Sequence, residues 1–232
     1  MNIFTDKRLE QAGFIGGTFS RHSGNMREVE NRAPVFEQLH IPPERMLHFH
    51  QIHSTHIVQL STAQAAQAHA SAPLVDADAW LFSPFPAGWG ATITTADCVP
   101  LFLWDQSGTH AALAHCGWRG VVAGLPHKTA QLLLTNHPSL HLCAWIGPHI
   151  QSCCFEVQED VATQFPSDCI VHREGKTFID LTAQITHQLI KAGLRAADIK
   201  ASPACTCSDA ANFFSWRRDH EKNLLLSFIY KF

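Results

Sequence analysis

The chain has 232 residues, of which 46% are hydrophobic and 16% are charged, and its formal net charge is −3. This length is typical of one large domain, and the composition is that of a globular protein rather than a disordered one. The slightly negative charge argues against nucleic acid or an anionic membrane as a partner. The 16 histidines and eight cysteines introduce a metal site or thiol chemistry as hypotheses.

The cysteines are expected to be reduced. No apolar run approaches the ~18 residues of a membrane span, and the first residues, MNIFTDKR, lack the apolar region of a signal peptide. We therefore expect a cytoplasmic protein without disulfides, in which a single cysteine usually serves as a small buried apolar side chain. The Cys153-Cys154 and Cys205-Thr-Cys207 pairs do not have the spacing of a structural zinc clamp.

Apolar periodicity and helix-breaking residues predict the secondary structure. Helices are predicted over residues 26–41, 121–136, 157–165 and 180–193, strands over 46–60 (one strand or a pair), 90–104, 109–116, 142–147 and 224–230, and a loop or short helix over 61–70. Because helices and strands are intermixed without strict alternation, we expect an α+β fold. The prediction is a single domain over residues 1–232 with a mixed β-sheet core layered with helices.

A hairpin within residues 91–115 carries the first candidate site. A two- or four-residue turn around Asp105–Gly108 would place Cys98 directly opposite His115 on one face of the sheet. Opposed Cα atoms lie ~4.5–5.5 Å apart, so both side chains can hold one ion or hydrogen-bond to each other. A three-residue turn would put them on opposite faces. A buried cysteine beside a hydrogen-bonded histidine is the structural alternative.

The segment from His48 to His56 contains four histidines. On a strand, His48, His50 and His56 share one face and His53 lies on the other. His48 and His50 can chelate a metal, although an exposed polar face explains the same pattern. We expect these three histidines to point away from the site and to bind nothing catalytic.

Five short stretches occur in a definite order along the chain. They are Gln51-Ile-His53, Thr95-Ala-Asp-Cys-Val-Pro100, Ala114-His-Cys-Gly-Trp-Arg-Gly120, Ile146-Gly-Pro-His-Ile150 with Cys153-Cys-Phe-Glu-Val157, and Cys205-Thr206 with Phe213-Phe-Ser-Trp-Arg-Arg-Asp219. Together they resemble the motifs of the YfiH, or laccase-domain, family. Each motif alone is weak, but all five in the family's order identify the chain as a member over roughly residues 14–230.

The resemblance implies the YfiH-like fold, which is similar to that of Cys hydrolases, and an enzymatic activity. The family was first described as polyphenol oxidases and is now described as purine nucleoside phosphorylases that also deaminate adenosine. The implied partners are phosphate and a purine nucleoside: adenosine, inosine, guanosine or methylthioadenosine. We expect a monomer or homodimer that binds neither nucleic acid nor a membrane.

The resemblance also implies a zinc ion held by His53, Cys98 and His115, and the hairpin register independently pairs the last two. Three ligands leave the fourth position of zinc open, as in catalytic sites. Copper is an adventitious alternative, since Cu²⁺ binds most nitrogen and sulfur sites more tightly. Asp97 and Glu156 are the candidate proton carriers for deamination, with a turn-capping role as the alternative for each.

Phosphate requires cationic ligands, which arginine supplies through paired N–H groups. Arg119, Arg217 and Arg218 lie in the family motifs and are the candidates, with Arg21 as a fourth; one of the two adjacent arginines is expected to be a surface ion-pair partner. Phe213, Phe214 and Trp216 are candidates for stacking on a purine, with a place in the core as the alternative.

The chain departs from the family in several places. It lacks much of the loop that normally precedes the first helix and the T-G-R segment after Asp219, Cys116 replaces the usual alanine, and His149 fills a variable position. These changes predict an altered substrate range.

Three rival functions remain open. A metal-free hydrolase or amidase would use Cys98 as nucleophile and His115 as base. A weak copper-dependent polyphenol oxidase is a second alternative, although the chain lacks the histidine clusters of multicopper oxidases. A binding module without catalysis is the third.

Overall fold

A computed structural model describes residues 2–60 and 75–232. The strands are β1 (Ile3–Phe4), β2 (Phe14–Phe19), β3 (Met46–Leu47), β4 (Ile57–Leu60), β5 (Ala79–Phe82), β6 (Trp89–Thr95), β7 (Val99–Asp105), β8 (Ala111–Cys116), β9 (Leu142–Ile146), β10 (Glu156–Val157), β11 (Ile170–Arg173), β12 (Lys176–Ile179), β13 (Ile199–Ala201) and β14 (Leu225–Lys231). The helices are α1 (Lys7–Gln11), α2 (Arg32–Glu37), α3 (Trp118–Val122), α4 (Leu125–Asn136), α5 (Glu159–Ala162), α6 (Leu181–Ala192) and α7 (Trp216–Asp219). None of the helices described here has the length and apolar character needed to cross a bilayer.

Two mixed β-sheets form the body of the fold. The five-stranded sheet has the order β1-β2-β14-β6-β3, and the six-stranded sheet has the order β13-β9-β7-β8-β5-β4. The pairs β3–β6, β4–β5 and β13–β9 are parallel, whereas the other neighbours in these two sheets are antiparallel. A smaller sheet has the order β10-β12-β11. The predicted α+β class with a mixed sheet is confirmed.

The central strands of the six-stranded sheet are buried on both faces. Along β7, Leu101 and Leu103 belong to one apolar cluster, while Phe102 and Trp104 belong to another. The first cluster includes residues of α4 and α6, and the second includes Ile229 of β14. The six-stranded sheet therefore lies between these helices and the five-stranded sheet.

The outer face of the five-stranded sheet packs against α2. Phe36 of that helix makes edge-to-face contacts with Phe19 of β2 and Phe228 of β14, and these two rings stack on each other. Aromatic pairs of this kind add to the free energy of burying their apolar area. The layers are thus helix, sheet, sheet and helix.

Three predicted elements are interrupted in the structure. Residues 90–104 form two strands in different sheets, and Asp97 between them has a left-handed φ of 86°. Residues 121–136 break at Gly124, whose φ of 84° ends the short helix α3 before α4 begins. Residues 46–60 form a pair of short strands, β3 and β4, and not one long strand. Residues 48–56 between them form no strand, so the strand faces assigned to the histidines are wrong.

Two of the predicted helices are shorter than expected, and one is confirmed. The helical part of residues 26–41 is a 3₁₀ turn followed by α2, and that of residues 157–165 is α5. Helix α6 is confirmed, with the Asp180 side chain accepting a hydrogen bond from the Ala183 N–H (2.9 Å) at its start and Gly193 with a φ of 114° at its end. Strands β9 and β14 also match their predictions, while the prediction for 61–70 lies outside the described residues.

The register of the β7–β8 hairpin differs from the predicted one by two residues. Pro100, not Cys98, pairs with His115. The turn begins one residue later because the Asp105 carboxylate accepts hydrogen bonds from the backbone N–H groups of Thr109 (2.8 Å) and His110 (2.5 Å). A shift of two residues preserves the alternation of side chains, so Cys98 and His115 still share one face.

His149 is a fully buried histidine next to the hairpin. Its Nδ1 lies 2.8 Å from the Gly147 carbonyl oxygen, and its Nε2 lies 3.1 Å from the Thr182 hydroxyl. A neutral ring satisfies both contacts by donating through Nδ1–H and accepting at Nε2. Burial lowers the pKa of His149 to about 4, which its hydrogen bond to Gly147 and the charges of Asp180 and Asp97 only partly oppose.

This histidine predicts sensitivity to acid. Its pKa in the unfolded chain is ~6.5, so between pH 6.5 and 4 the folded state binds fewer protons than the unfolded state. The stabilisation is complete above pH 6.5 and is lost as the pH falls toward 4. We expect the free energy of unfolding, measured by urea titration, to decrease between pH 6.5 and pH 4. The decrease should be on the order of 1–2 kcal/mol larger in the wild type than in His149→Gln. Equal pH dependence in both proteins would contradict this assignment.

Candidate active site

Three side chains that the sequence analysis selected lie together in the structure. The donor atoms of His53, Cys98 and His115 are all within 4.8 Å of one another. The Cys98 Sγ is 3.9 Å from the His53 Nε2, and the two imidazole rings are nearly perpendicular, with centroids 4.8 Å apart. That these atoms bind an ion stays a prediction.

Each of these side chains comes from a different part of the fold. Cys98 ends the segment 96–98, here called the corner, in which the chain passes from the five-stranded to the six-stranded sheet. His115 is buried on β8. His53 is exposed in the loop between β3 and β4 and has a left-handed φ of 59°.

Asp78, which the sequence analysis missed, joins two of these side chains. Its fully buried carboxylate lies 2.9 Å from the His115 Nδ1 and accepts hydrogen bonds from the backbone N–H groups of His53 (3.0 Å) and Ser54 (2.5 Å). With Nδ1–H donating to Asp78, the Nε2 of His115 is the nitrogen left for Cys98 or a metal. The only trace of this residue in the sequence is the Asp76-Ala-Asp78 pair before the apolar run of β5.

Gly117 leaves the space in which these donors approach. A Cβ at this position would lie 2.7 Å from the His53 ring and 3.4 Å from the Cys98 Sγ. The continued β7–β8 register puts Gly117 opposite Cys98. A larger side chain would therefore displace His53 from the thiol.

Cys98 and His115 favour each other's charged forms. Desolvation disfavours the thiolate, but the charge of His115 and hydrogen bonds from His115 and His53 lower the pKa of Cys98 to about 6. Desolvation likewise disfavours the imidazolium, but the Cys98 charge and the Asp78 hydrogen bond raise the pKa of His115 to about 9. A thiolate is the form of cysteine that binds metals and attacks electrophiles.

Asp97 holds the corner in place. One oxygen of its carboxylate accepts a hydrogen bond from the Thr206 hydroxyl (2.6 Å), and the other accepts from the Ser215 hydroxyl (3.0 Å) and the Arg217 backbone N–H (2.7 Å). Its own carbonyl accepts from the Ile150 N–H (3.1 Å). These contacts are those of a carboxylate that caps a turn, which was the alternative to a proton-carrying role for Asp97.

His53 and Cys98 line a cleft of about 360 Å³, which is within the usual size of a small-molecule site, and His115 is buried behind them. Its apolar walls include Trp118, Phe155 and Trp216. Two arginines line it as well: the Arg119 guanidinium lies 4.4 Å from the Trp118 ring centroid, and that of Arg217 lies 5.4 Å from the Phe155 ring centroid. The cleft thus combines aromatic surface with two positive charges.

Arg218, a candidate phosphate ligand, is not among the residues that line the cleft. Its guanidinium donates to the carbonyl groups of Thr206, Cys207 and Phe213 and pairs with Asp219 at 2.6 Å. Arg218 therefore stabilises the turn after β13. The Arg217 guanidinium also donates to backbone carbonyls, those of Cys154 (3.3 Å) and Glu156 (2.7 Å), but it lines the cleft as well.

Three other candidates also lie away from the cleft lining. Arg21 donates to the Ala210 carbonyl (2.7 Å), and the Phe213 and Phe214 rings are buried in the core. Only Trp216, with 49% of its surface exposed, remains free to stack on a base. Glu156 pairs with Lys176 (2.9 Å) in an adjoining hollow that shares Arg217 with the cleft.

The remaining histidines of the 48–56 segment make other contacts. His48 hydrogen-bonds to the Thr92 hydroxyl, and His50 lies 2.9 Å from a carboxylate oxygen of Asp76. His56 contacts the Asp76 carbonyl at 2.5 Å. None of the three belongs to the group of donors around Cys98.

The donor set fits zinc. One thiolate and two imidazoles are common zinc ligands, and three of them leave a coordination position open. Within residues 2–60 and 75–232, the other clusters of possible ligands contain at most one histidine each. The described residues therefore provide no counterpart to the histidine-rich clusters of multicopper oxidases.

The chain is similar to known proteins along most of its length. Residues 17–230 match the family model described as "Multi-copper polyphenol oxidoreductase laccase". The purine nucleoside phosphorylase YlmD of Geobacillus stearothermophilus is 33% identical over 90% of this chain and 86% of its own length, and a purine nucleoside phosphorylase of Xylella fastidiosa is 32% identical over 82% and 73%. The crystal structure of the Geobacillus YlmD superposes with a TM-score of 0.84, at 27% identity, over 95% of this chain and 92% of that one. The chain therefore belongs to the laccase-like family that its five motifs predicted.

Proposed function

We propose that this protein is a zinc-dependent purine nucleoside phosphorylase, acting on adenosine, inosine, guanosine and methylthioadenosine, with adenosine deaminase activity. The observation that carries the proposal is the close approach of His53, Cys98 and His115, of which the first two line a cleft together with two arginines. The names of the Geobacillus and Xylella relatives support the reaction.

His53, Cys98 and His115 would hold the ion. Zinc in such an open site lowers the pKa of a bound water to ~7, which is the chemistry that deamination of a purine requires. Asp78 orients His115 by accepting its Nδ1 proton, and it fixes the loop of His53 through two backbone hydrogen bonds. A copper ion at the same donors would be adventitious.

Arg119 and Arg217 bind the phosphate that takes part in phosphorolysis. In that reaction a phosphate oxygen attacks C1′ of the ribose, the bond from C1′ to the base nitrogen breaks, and the base leaves with the electron pair. Arg119 and Arg217 hold and orient the phosphate, because guanidinium groups pair with its oxygens. Trp118, Phe155 and Trp216 provide the apolar surface for the purine and exclude water from it.

Asp97 acts as a positioning residue in this proposal. Its three hydrogen bonds to Thr206, Ser215 and the Arg217 N–H fix the start of α7, and thereby the Arg217 side chain, relative to Cys98. Glu156 is committed to Lys176. No proton-transfer step is assigned to either carboxylate.

A metal-free Cys/His hydrolase is the second candidate function. The observation in its favour is the series Cys98, His115 and Asp78, in which a nucleophile, a base and an orienting carboxylate are in contact. The third donor, His53, has no part in that mechanism, whereas it completes a zinc site. The metal dependence of the activity separates the two functions.

The first test is product analysis with adenosine. We expect adenine only when phosphate is present, and inosine with or without it. Replacing Arg119 by Ala should reduce phosphorolysis at low phosphate about tenfold and leave deamination unchanged, because a charge-assisted hydrogen bond contributes ~1.5–3 kcal/mol. Arg27→Ala, at an exposed arginine away from the cleft, is the control. Absence of product from all four nucleosides would overturn the proposal.

The second test removes the thiolate. Cys98→Ala should lose one bound zinc ion per chain and all nucleoside turnover, at a cost in stability on the order of 1 kcal/mol. Cys143→Ala, at a buried cysteine of the core, is the matched control and should keep both zinc and activity. Wild-type protein that is fully active after verified removal of metal would instead support the hydrolase.

The third test concerns the orientation of His115. Asp78→Asn keeps the shape of the side chain but removes its charge, and we expect zinc affinity to fall ~10–100-fold, as for other groups that orient a metal ligand. Asp76→Asn is the control, since Asp76 is exposed and pairs with His50. Affinity is measured by competition with a zinc chelator. Equal affinities for both variants would show that Asp78 does not act on the ligand set.

A further inference from the structure

Four cysteines outside the proposed active site gather at one place in the fold. They are Cys153 and Cys154 in the turn before β10, and Cys205 and Cys207 in the turn after β13; together they are here called the cysteine cluster. Their spacing in the sequence does not resemble a zinc clamp. In the structure, however, the Sγ atoms of Cys153, Cys154 and Cys205 lie within 4.8 Å of one another.

Backbone contacts hold the two turns together. His149 and Cys205 form a parallel bridge, and the Thr206 N–H donates to the His149 carbonyl (3.0 Å). The Arg217 guanidinium donates to the Cys154 carbonyl (3.3 Å). The cysteines are therefore brought together by the fold and not by the flexibility of their side chains.

Weak contacts connect the sulfur atoms of the cluster with each other and with the backbone. The Gln151 backbone N–H donates to the Cys205 Sγ (3.4 Å), and the Cys153 Sγ lies 3.5 Å from the Cys154 Sγ. A cation bound between these sulfur atoms would offset the repulsion between their thiolates.

The distances between the sulfur atoms are close to those of a metal–thiolate site. Zn–S bonds of ~2.3 Å in a tetrahedron place sulfur atoms ~3.8 Å apart. The Cys153 and Cys154 Sγ atoms are 3.5 Å apart, and all three sulfurs are within 4.8 Å. Cys207 adjoins Cys154 but is not one of the three cysteines whose sulfur atoms lie within 4.8 Å of one another. Cys153 is exposed, so an ion can enter from solvent.

We propose that Cys153, Cys154 and Cys205, with Cys207 beside them, form a second metal site, which binds one thiophilic d¹⁰ cation, Zn²⁺ or Cu⁺. Thiolate ligands favour these ions over harder cations. This second site would bind its ion independently of the proposed catalytic zinc, and the two sites share no ligand.

The second site would be structural. The ion would connect two turns. One turn carries Phe155 and accepts a hydrogen bond from Arg217, and the other contains Thr206, whose hydroxyl donates to Asp97. Both turns contribute to the wall of the cleft or to its support. Loss of the ion is therefore expected to lower thermal stability and to raise the KM for nucleoside more than it lowers kcat.

The test is the stoichiometry of zinc in the full-length protein, reduced and stripped of metal before titration with Zn²⁺ alone. We expect the wild type to bind two ions per chain, whereas Cys98→Ala and Cys153→Ala bind one each and the double variant binds none. Cys153→Ala alters an exposed side chain and should fold normally. Cys205→Ala should behave in the same way, with Cys143→Ala as the buried control that keeps two ions.

Spectroscopy identifies the ligands independently of activity. Titration with Cd²⁺ should give an ultraviolet sulfur-to-metal charge-transfer band that persists in Cys98→Ala and is largely lost in Cys153→Ala. Titration with Cu⁺ under reductant shows which of the two cations the cluster binds more tightly. Failure of the proposed enzyme activity would leave these results unaffected.

Two results would overturn the second site. One is a wild type that binds a single ion, with unchanged stoichiometry in Cys153→Ala. The other is a count of fewer than eight free thiols in denatured, unreduced protein protected from air, with a disulfide mapped within the cluster. That second result would show that these cysteines pair with each other instead of binding a metal.

Discussion

The arrangement of the site depends on one buried carboxylate. Asp78 is fully inaccessible to solvent, and an ionised carboxylate in such a position is strongly destabilising unless donors surround it. It accepts hydrogen bonds from the Ser54 hydroxyl, two backbone N–H groups and the His115 ring. Although burial alone would raise the pKa of Asp78, these bonds lower it, so the side chain stays charged. The loop of His53 and the strand of His115 are thereby held in one geometry.

A second carboxylate, that of Asp97, fixes the chain on the other side of Cys98 through its hydrogen bonds. Asp97 stands at the corner with a left-handed φ of 86°, where its side chain binds Thr206, Ser215 and the backbone of Arg217. A non-glycine residue in this conformation needs compensating contacts. Because Cys98 directly follows Asp97, the same contacts that stabilise the strained corner also fix the position of the thiol.

The two-sheet architecture explains why the site lies where it does. Strands β7 and β8 are buried on both faces, which leaves little freedom to His115 or to the start of β7. The loops at this edge carry the polar groups, while the packed strands keep them in place, as is usual for binding and catalytic residues. The cysteine cluster lies in the turns that continue from this edge. Its proposed ion and the proposed catalytic ion would thus stabilise adjoining parts of one cleft.

Local sequence patterns predicted part of the secondary structure, the family and three residues of the site. Apolar runs predicted β8, β9 and β14, and Gly193 predicted the end of α6. The five motifs predicted the family, and with it the three donors that the structure brings together. Such features depend on neighbours in the sequence or on short motifs, so they need no knowledge of distant contacts.

The tertiary structure alone decided the rest. The corner at Asp97 splits an apolar run that looks continuous, because its partners lie more than a hundred residues away along the chain. Distant contacts also decide that Arg119 and Arg217 line the cleft and that Arg218 does not. Asp78 and the cysteine cluster carry no recognisable spacing in the sequence. Their chemistry arises only when burial removes water and the fold supplies donors from distant segments. The sequence by itself determined strands β8, β9 and β14, helix α6 and, through the family motifs, the three side chains that meet near Cys98.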